Sequence, residues 1–406
     1  MNGTDGLTSS ARGDVASPDP GGNKRRTVMI SMAAAAVVLT ALIVWTAVAL
    51  LRGEGETTRA ASPEDAHAGV VTGTVWVANE AGNSLTAIDA ATNEVVTTVE
   101  GIEGPHNVQV APDGRTLWAV SGHDSVAAMV DAATLELHGT VATGAMPAHV
   151  VVSPDGSTTY TSNGEDDTVT VIDTETMTPS ATIPVGEGPH GLRPSPDGRW
   201  VVVANVAGRT LSVIDTARKK TVADIEVGAA PAQVAFSPDG RFVYASLSGE
   251  DAVAKVDLQK RRMVGKVAVG AGPIQTFVSP DGRLLLVANQ GTEDVPGTTV
   301  SVVDTEAFEV TGAVETGQGA HGVVIDPSGR HAYVTNIYGN DVSVIDLQNL
   351  EVVARIPVGE APNGVSFSPT IVDEQPPVQL ELPSAGGSRD DSGHADEEEG
   401  HGDDGH

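Results

Sequence analysis

Residues 149–190 read HVVVSPDGSTTYTSNGEDDTVTVIDTETMTPSATIPVGEGPH, and four short runs stand out: His149-Val-Val-Val-Ser-Pro, Thr158-Thr-Tyr-Thr-Ser-Asn, Thr168-Val-Thr-Val-Ile-Asp and Ser180-Ala-Thr-Ile-Pro-Val. Each has strand length, apolar residues alternate with a period of two, and turn formers such as Pro154-Asp155-Gly156 separate the runs. No helical spacing of apolar residues intervenes. One such stretch therefore predicts four antiparallel strands joined by tight turns.

Moving outward, the unit recurs. Pro-Asp-Gly begins at Pro112, Pro154, Pro196, Pro238 and Pro280, becomes Pro327-Ser328-Gly329 and decays to Pro369-Thr370, with steps of 42, 42, 42, 42, 47 and 42 residues. An Asp that closes an apolar run keeps the same increments at Asp89, Asp131, Asp173, Asp215, Asp257, Asp304 and Asp346. A four-stranded unit repeated seven times predicts an all-β fold, a seven-bladed β-propeller of four-stranded antiparallel blades over residues 73–370, because such units bury their faces only against one another. The first repeat opens at its second strand, Thr74-Val-Trp-Val-Ala-Asn, and the last leaves an orphan inner strand at Gly364-Val-Ser-Phe-Ser-Pro. The orphan is expected to complete the first blade and hide both sheet edges.

The chain has 406 residues, no cysteine, and 23 basic against 54 acidic side chains for a net charge of −31. Thiolate chemistry, disulfides and iron–sulfur clusters are excluded, so any metal must be held by His, Asp, Glu or Asn. The acidic bulk repels phosphates, and no nucleic-acid partner is expected.

Residues 1–26 form a polar segment ending in Lys24-Arg25-Arg26, and 27–51 carry no charge. At about 1.5 Å per residue, a helix over Val28–Leu51 spans roughly 36 Å against an apolar bilayer core of about 30 Å. The reading is an N-terminal transmembrane helix acting as a signal anchor at the cell membrane. The basic cluster keeps residues 1–26 cytoplasmic, 52–72 serve as a flexible linker, and the propeller lies extracytoplasmically. Cleavage at Ala47-Val48-Ala49 would instead release a secreted protein, and Arg25-Arg26-Thr27-Val28-Met29 also fits a twin-arginine export signal. Residues 371–406 hold eleven acidic side chains and one Arg, and read as a disordered acidic tail whose His394, His401 and His406 form a weak cation site.

Repeats such as Ser153-Pro-Asp-Gly, Tyr333-Val-Thr-Asn and Val344-Ile-Asp-Leu followed by Ile356-Pro-Val-Gly resemble the YVTN, or YncE-like, family of seven-bladed propellers. The resemblance covers residues 74–370. It implies an extracytoplasmic binding or surface protein, with a broader relationship to the propellers of nitrous oxide reductase, cytochrome d1 and bacterial lactonases. It implies no single activity, since propellers host many. The copper cluster of nitrous oxide reductase requires more mouth histidines, and that family's electron-entry site is a separate cysteine-bearing cupredoxin domain; this chain has neither.

The recurrent motifs read as structure. Asp-Gly supplies the positive backbone angle of the hairpins. The Asp closing each third strand caps the following turn. Asn79, Asn163, Asn205, Asn289 and Asn336 tie loops, while Trp76, Trp118, Tyr160, Tyr244 and Tyr333 pack between blades.

Function is expected where the repeats disagree, at the connections from each outer strand to the next inner strand. These read Gly104-Pro-His-Asn, Met146-Pro-Ala-His, Gly188-Pro-His-Gly, Ala230-Pro-Ala-Gln, Gly272-Pro-Ile-Gln, Gly319-Ala-His-Gly and Ala361-Pro-Asn-Gly. They bring His106, His149, His190 and His321 to one channel mouth, with Asn107, Gln233, Gln275 and Asn363 beside them. Asp124, Glu165, Asp166, Asp167, Glu250, Asp251, Glu293, Asp294 and Asp341 are expected to form an acidic collar that concentrates cations. The five extra residues of the 47-residue step fall in Gly291–Gly297, on the same face.

Two roles fit the histidines: ligands of copper or zinc, or hydrogen-bonding braces for the inner strands. The sequence supports first a non-catalytic binding platform for a protein, glycan or metal ion. A copper- or zinc-handling redox accessory and a lactonase-like hydrolase remain as alternatives.

Overall fold

The computed structural model describes residues 70–382. The expected cytoplasmic segment, the anchor over 27–51, the linker up to residue 69 and the three tail histidines lie outside the described residues. Among the described residues no helix is long and apolar enough to cross a membrane.

Every regular element described is a strand, and the strands form seven sheets. Blade 1 contains β1 (Thr74–Asn79), β2 (Ser84–Asp89) and β3 (Glu94–Glu100). Blade 2 is β4–β7 (108–142), blade 3 β8–β11 (147–184), blade 4 β12–β15 (189–226), blade 5 β16–β19 (231–268), blade 6 β20–β23 (273–315) and blade 7 β24–β27 (320–357). The orphan strand β28 (Pro362–Ser368) pairs antiparallel with β1, from Thr74 opposite Ser368 to Asn79 opposite Pro362. Consecutive inner strands pack against one another around the axis, and β28 against β4 closes the circle.

One boundary differs from the sequence reading. Residues 371–382, expected to begin the disordered tail, are ordered against blade 1. The short strand β29 (Val378–Gln379) pairs parallel with β3, so this blade has five strands rather than four. Val372 and Leu380 are buried in the core between blades 1 and 2, and that apolar anchorage outweighs the polar composition around it. At the other end Val71, placed in the linker by the sequence, is buried among blade 1 and blade 7 residues.

The motifs assigned to folding behave so. Gly114, Gly156, Gly198, Gly240, Gly282 and Gly329 close the hairpins with φ near +70°. Asp89 Oδ1 accepts the Ala91 and Thr92 amides, and Asp304 and Asp346 repeat the pattern. Asn79, Asn163, Asn205, Asn289 and Asn336 each donate to side chains of the next strand. Trp76, Trp118, Tyr160, Tyr244 and Tyr333 are buried in the apolar clusters of the propeller. The insertion lengthens the hairpin between β21 (Leu284–Gly291) and β22 (Pro296–Asp304), and Gly297 O accepts the Gly319 amide of the next connection at 2.7 Å.

Candidate metal centre

Each outer-to-inner connection turns sharply toward the axis. Its first residue is left-handed in all seven repeats: Gly104, Met146, Gly188, Ala230, Gly272, Gly319 and Ala361, with φ between +49° and +74°. In six of the seven blades, blade 2 being the exception, the following inner strand then carries a bulge. In blade 3, β8 (Pro147–Val152) pairs Pro147 with Asn163 and Val150 with Thr161 of β9 (Thr158–Asn163). Ala148 and His149 therefore oppose the single residue Ser162. Equivalent register shifts occur in β12 (Pro189–Pro194), β16 (Pro231–Phe236), β20 (Pro273–Val278), β24 (Ala320–Ile325) and β28. The bulge lets residues at the second and third positions meet in the channel, although strict strand alternation would send them to opposite faces.

Hydroxyls clip neighbouring blades together at this level. Ser162 Oγ accepts the His149 amide at 3.1 Å and donates to the His190 carbonyl at 2.6 Å. Thr335 Oγ1 repeats the clip, accepting from Gly322 and donating to the Asn363 carbonyl, both at 2.7 Å. Gly191 is required beside His190, because a Cβ there would stand 2.6 Å from the Ala232 carbonyl oxygen.

The four mouth histidines do come together. Ring centroids of His149 and His190 are 4.8 Å apart, those of His106 and His190 5.1 Å, and those of His106 and His149 5.5 Å. His321, from blade 7, lies 6.2 Å from His106. One nitrogen from each of His106, His149 and His190 falls within 4.8 Å of the others.

The hydrogen bonds orient two of these rings. His190 Nδ1 lies 2.9 Å from the Ala232 carbonyl oxygen and must donate to it, which leaves Nε2 with its lone pair. His106 Nδ1 lies 3.2 Å from Glu80 Oε1, and its Nε2 lies 3.0 Å from His190 Nε2. Asn363 Nδ2 donates to Glu80 Oε2 at 2.7 Å and stands 3.0 Å from His106 Nδ1. His149 Nε2 and His321 Nδ1 are buried with no hydrogen-bond partner among the described residues.

Burial, followed by the charges of neighbouring imidazoles, holds His149 well below the ordinary histidine range. The same causes bring His321 down to about 3. Burial and His106 lower His190 to about 4, against an opposing pull from the Ala232 carbonyl. These three rings are therefore neutral at neutral pH, the form that binds metals. Burial would raise Glu80, but its hydrogen bond and charge interaction with His106, together with Asn363, outweigh that effect and bring it to about 2.

The remaining expected mouth residues brace the ring. Asn107 Oδ1 accepts the Val150 amide at 3.3 Å, and Gln233 Oε1 accepts the Val234 amide at 2.8 Å while its Nε2 stands 3.5 Å from His149 Nδ1. Gln275 is buried with its amide nitrogen unpartnered.

The acidic collar is mostly a set of loop ties. Asp166, Asp167, Glu250 and Asp251 accept backbone amides of connections about 21 residues away, Asp124 accepts the Ser121 hydroxyl, and Asp341 meets Asn336. The carboxylate that reaches the histidines is Glu80, which the sequence reading did not single out. A signal existed: after the second strand the repeats read Glu80, Gly122, Gly164, Val206, Ser248, Gln290 and Ile337, so Glu80 alone is charged in that register.

The sequence matches the YNCE-like beta-propeller description over residues 20–162 and 114–372. The chain belongs to that family. Among curated proteins none matches this YNCE-like propeller. Among solved structures it is similar to hydrazine synthase of Kuenenia stuttgartiensis, with 26% identity and a TM-score of 0.61 over 67% of this chain and 91% of that one. A functionally unknown protein from Desulfotomaculum acetoxidans shares the fold at 14% identity, with a TM-score of 0.65 over 73% of this chain and 99% of the other. Dihydro-heme d1 dehydrogenase NirN also shares it, at 16% identity and a TM-score of 0.55 over 72% of this chain and 74% of that one.

Proposed function

We propose that this YNCE-like propeller is a membrane-anchored, extracytoplasmic binding protein that holds one copper or zinc ion at its histidine mouth. The approach of His106 Nε2 to His190 Nε2 carries the reading. In the tautomer in which His106 Nδ1 donates to Glu80 rather than accepting from Asn363 Nδ2, the two Nε2 lone pairs point at each other, a repulsive arrangement that a bound cation relieves. Nitrogens 3.0 Å apart, each about 2.0–2.1 Å from a zinc ion, subtend roughly 95° at it, which four-coordinate geometry tolerates. His149 supplies the third ligand and His321 flanks the site. Glu80 behind His106 and the Ala232 carbonyl behind His190 are the outer partners that fix ring orientation in metal centres. Membrane attachment rests on the uncharged run 27–51 after Lys24-Arg25-Arg26.

The described residues 70–382 close on themselves through β28 and β1, so residues 69–406, which contain them, serve for the test. Protein purified without a polyhistidine tag is titrated calorimetrically with Zn2+ and Cu2+, and its content is read by elemental analysis. One ion per chain is expected, lost in His106→Ala/His190→Ala. Unchanged stoichiometry in that variant would leave the histidines as braces.

A further inference from the structure

We infer that the opposite end of the channel is a second site, independent of the metal reading, which takes a small amphipathic monocarboxylate on Arg193. The inner strands end there in a cavity of about 330 Å³ that opens beside Pro327, on the face of the Pro-Asp-Gly turns. Its walls are largely apolar, with Phe277, Val324, Val365 and Phe367 among them, and Arg193 is the one charged side chain in the lining.

Arg193 is left without an ionic partner. No carboxylate among the described residues lies within ion-pair distance, and one of its five N–H donors has a protein acceptor, Gln109 Oε1 at 3.3 Å. Burial draws the guanidinium down to about 10, so it is still cationic at neutral pH. A cation held among apolar walls is costly until an anion meets it, and a guanidinium fork matches a carboxylate with two parallel hydrogen bonds. The apolar walls give nothing to a bare inorganic anion, whereas they reward a hydrocarbon body. At about 30 Å³ per non-hydrogen atom, the cavity holds roughly ten such atoms, a carboxylate on a chain of seven or eight carbons.

The charge distribution favours the same ligand. Residues 189–268, which make up blades 4 and 5, carry 12 Lys and Arg against 8 Asp and Glu, in a chain with 23 against 54 overall. Arg199, Arg241 and Arg261 of this sector line a neighbouring groove together with Asp197 and Asp239 of two Pro-Asp-Gly turns, so basic side chains outnumber acidic ones there. An anion approaching this side meets less repulsion than the overall acidic charge would impose.

The test is calorimetric titration of residues 69–406 with octanoate, 1-octanol and acetate. Octanoate is expected to bind one per chain, at least tenfold tighter than octanol or acetate. Arg193→Met should reduce octanoate to the level of octanol, Arg193→Lys should keep part of the difference, and Val324→Trp should block both ligands. Melting curves and circular dichroism establish that each variant is folded. If Arg193→Met does not fold, Arg193→Lys and Val324→Trp decide alone. Octanoate binding that is absent, unsaturable or indifferent to these substitutions overturns the proposal, and none of these outcomes bears on the histidine site.

Discussion

Glu80→Gln isolates the part of the mouth that a simple cluster of histidines would not need. The carboxylate faces His106 Nδ1 at 3.2 Å and, by drawing the proton to that nitrogen against the competing Asn363 amide, aims a lone pair of His106 Nε2 at His190. Glutamine keeps the volume and the bond to Asn363, but it removes the charge and offers an amide nitrogen in one of two orientations. Loss of an outer partner of this kind costs about 10- to 100-fold in metal affinity. Glu80 is 40% exposed and solvent screens its charge, so the lower end applies, about tenfold or roughly 1.4 kcal/mol. Competition against a chromophoric zinc chelator at pH 7.5 measures it directly. The expected result is an unchanged stoichiometry of one with a tenfold higher Kd. A Kd within twofold of the parent protein would refute the argument that Glu80 orients a ligand, and a stoichiometry of zero would make it a ligand itself.

Three further outcomes follow from the packing and one from proton linkage. His190 and His321 titrate near 4 and 3 when folded against about 6.5 when unfolded, so between those limits the unfolded chain binds more protons. Stability of the metal-free protein should therefore be flat above pH 6.5 and fall below it by up to about 1.4 kcal/mol per pH unit for each ring; thermal melts that do not change between pH 7 and 5 would contradict this. Ending the chain at residue 370 should cost about 3 to 6 kcal/mol through Val372 and Leu380 yet leave a folded ring, whereas ending it at 361 should abolish cooperative unfolding by circular dichroism. Ser162→Ala strips partners from the His149 amide and the His190 carbonyl and should cost about 1 to 3 kcal/mol in urea denaturation. Ala230→Gly relieves a left-handed alanine at φ +49° and should gain about 1 kcal/mol in the same assay; a loss would show that the connection is not strained.

The propeller was legible because its rulers are local. Pro-Asp-Gly and the strand-closing Asp set turn geometry by their own chemistry, and seven repeats in phase leave few alternatives. Convergence of His106, His149, His190 and His321 followed from the same phase. Proton placement could not be read that way, because Glu80, Asn363 and His106 meet across the closure of the ring, at sequence separations of 283 and 257 residues. Nor could the burial of Val372 and Leu380, two apolar residues in a segment whose average composition is that of a solvated tail. The collar acids have a second task that the sequence did not show: Asp167 and Asp251 look free in a list of loop acids, but each also accepts the amide of Gly188 or Gly272 while keeping its charge.

Blade 1 is built from both ends of the chain, and two of the groups behind His106 sit on those ends. Glu80 arrives with the first strand made and Asn363 with the last inner strand, so an incomplete polypeptide has four imidazoles and Glu80 but lacks the amide that fixes the Glu80 carboxylate. On the proposed metal reading, a nascent or proteolytically clipped molecule would hold its ion more loosely, and retention of the ion would report that the circle has been joined.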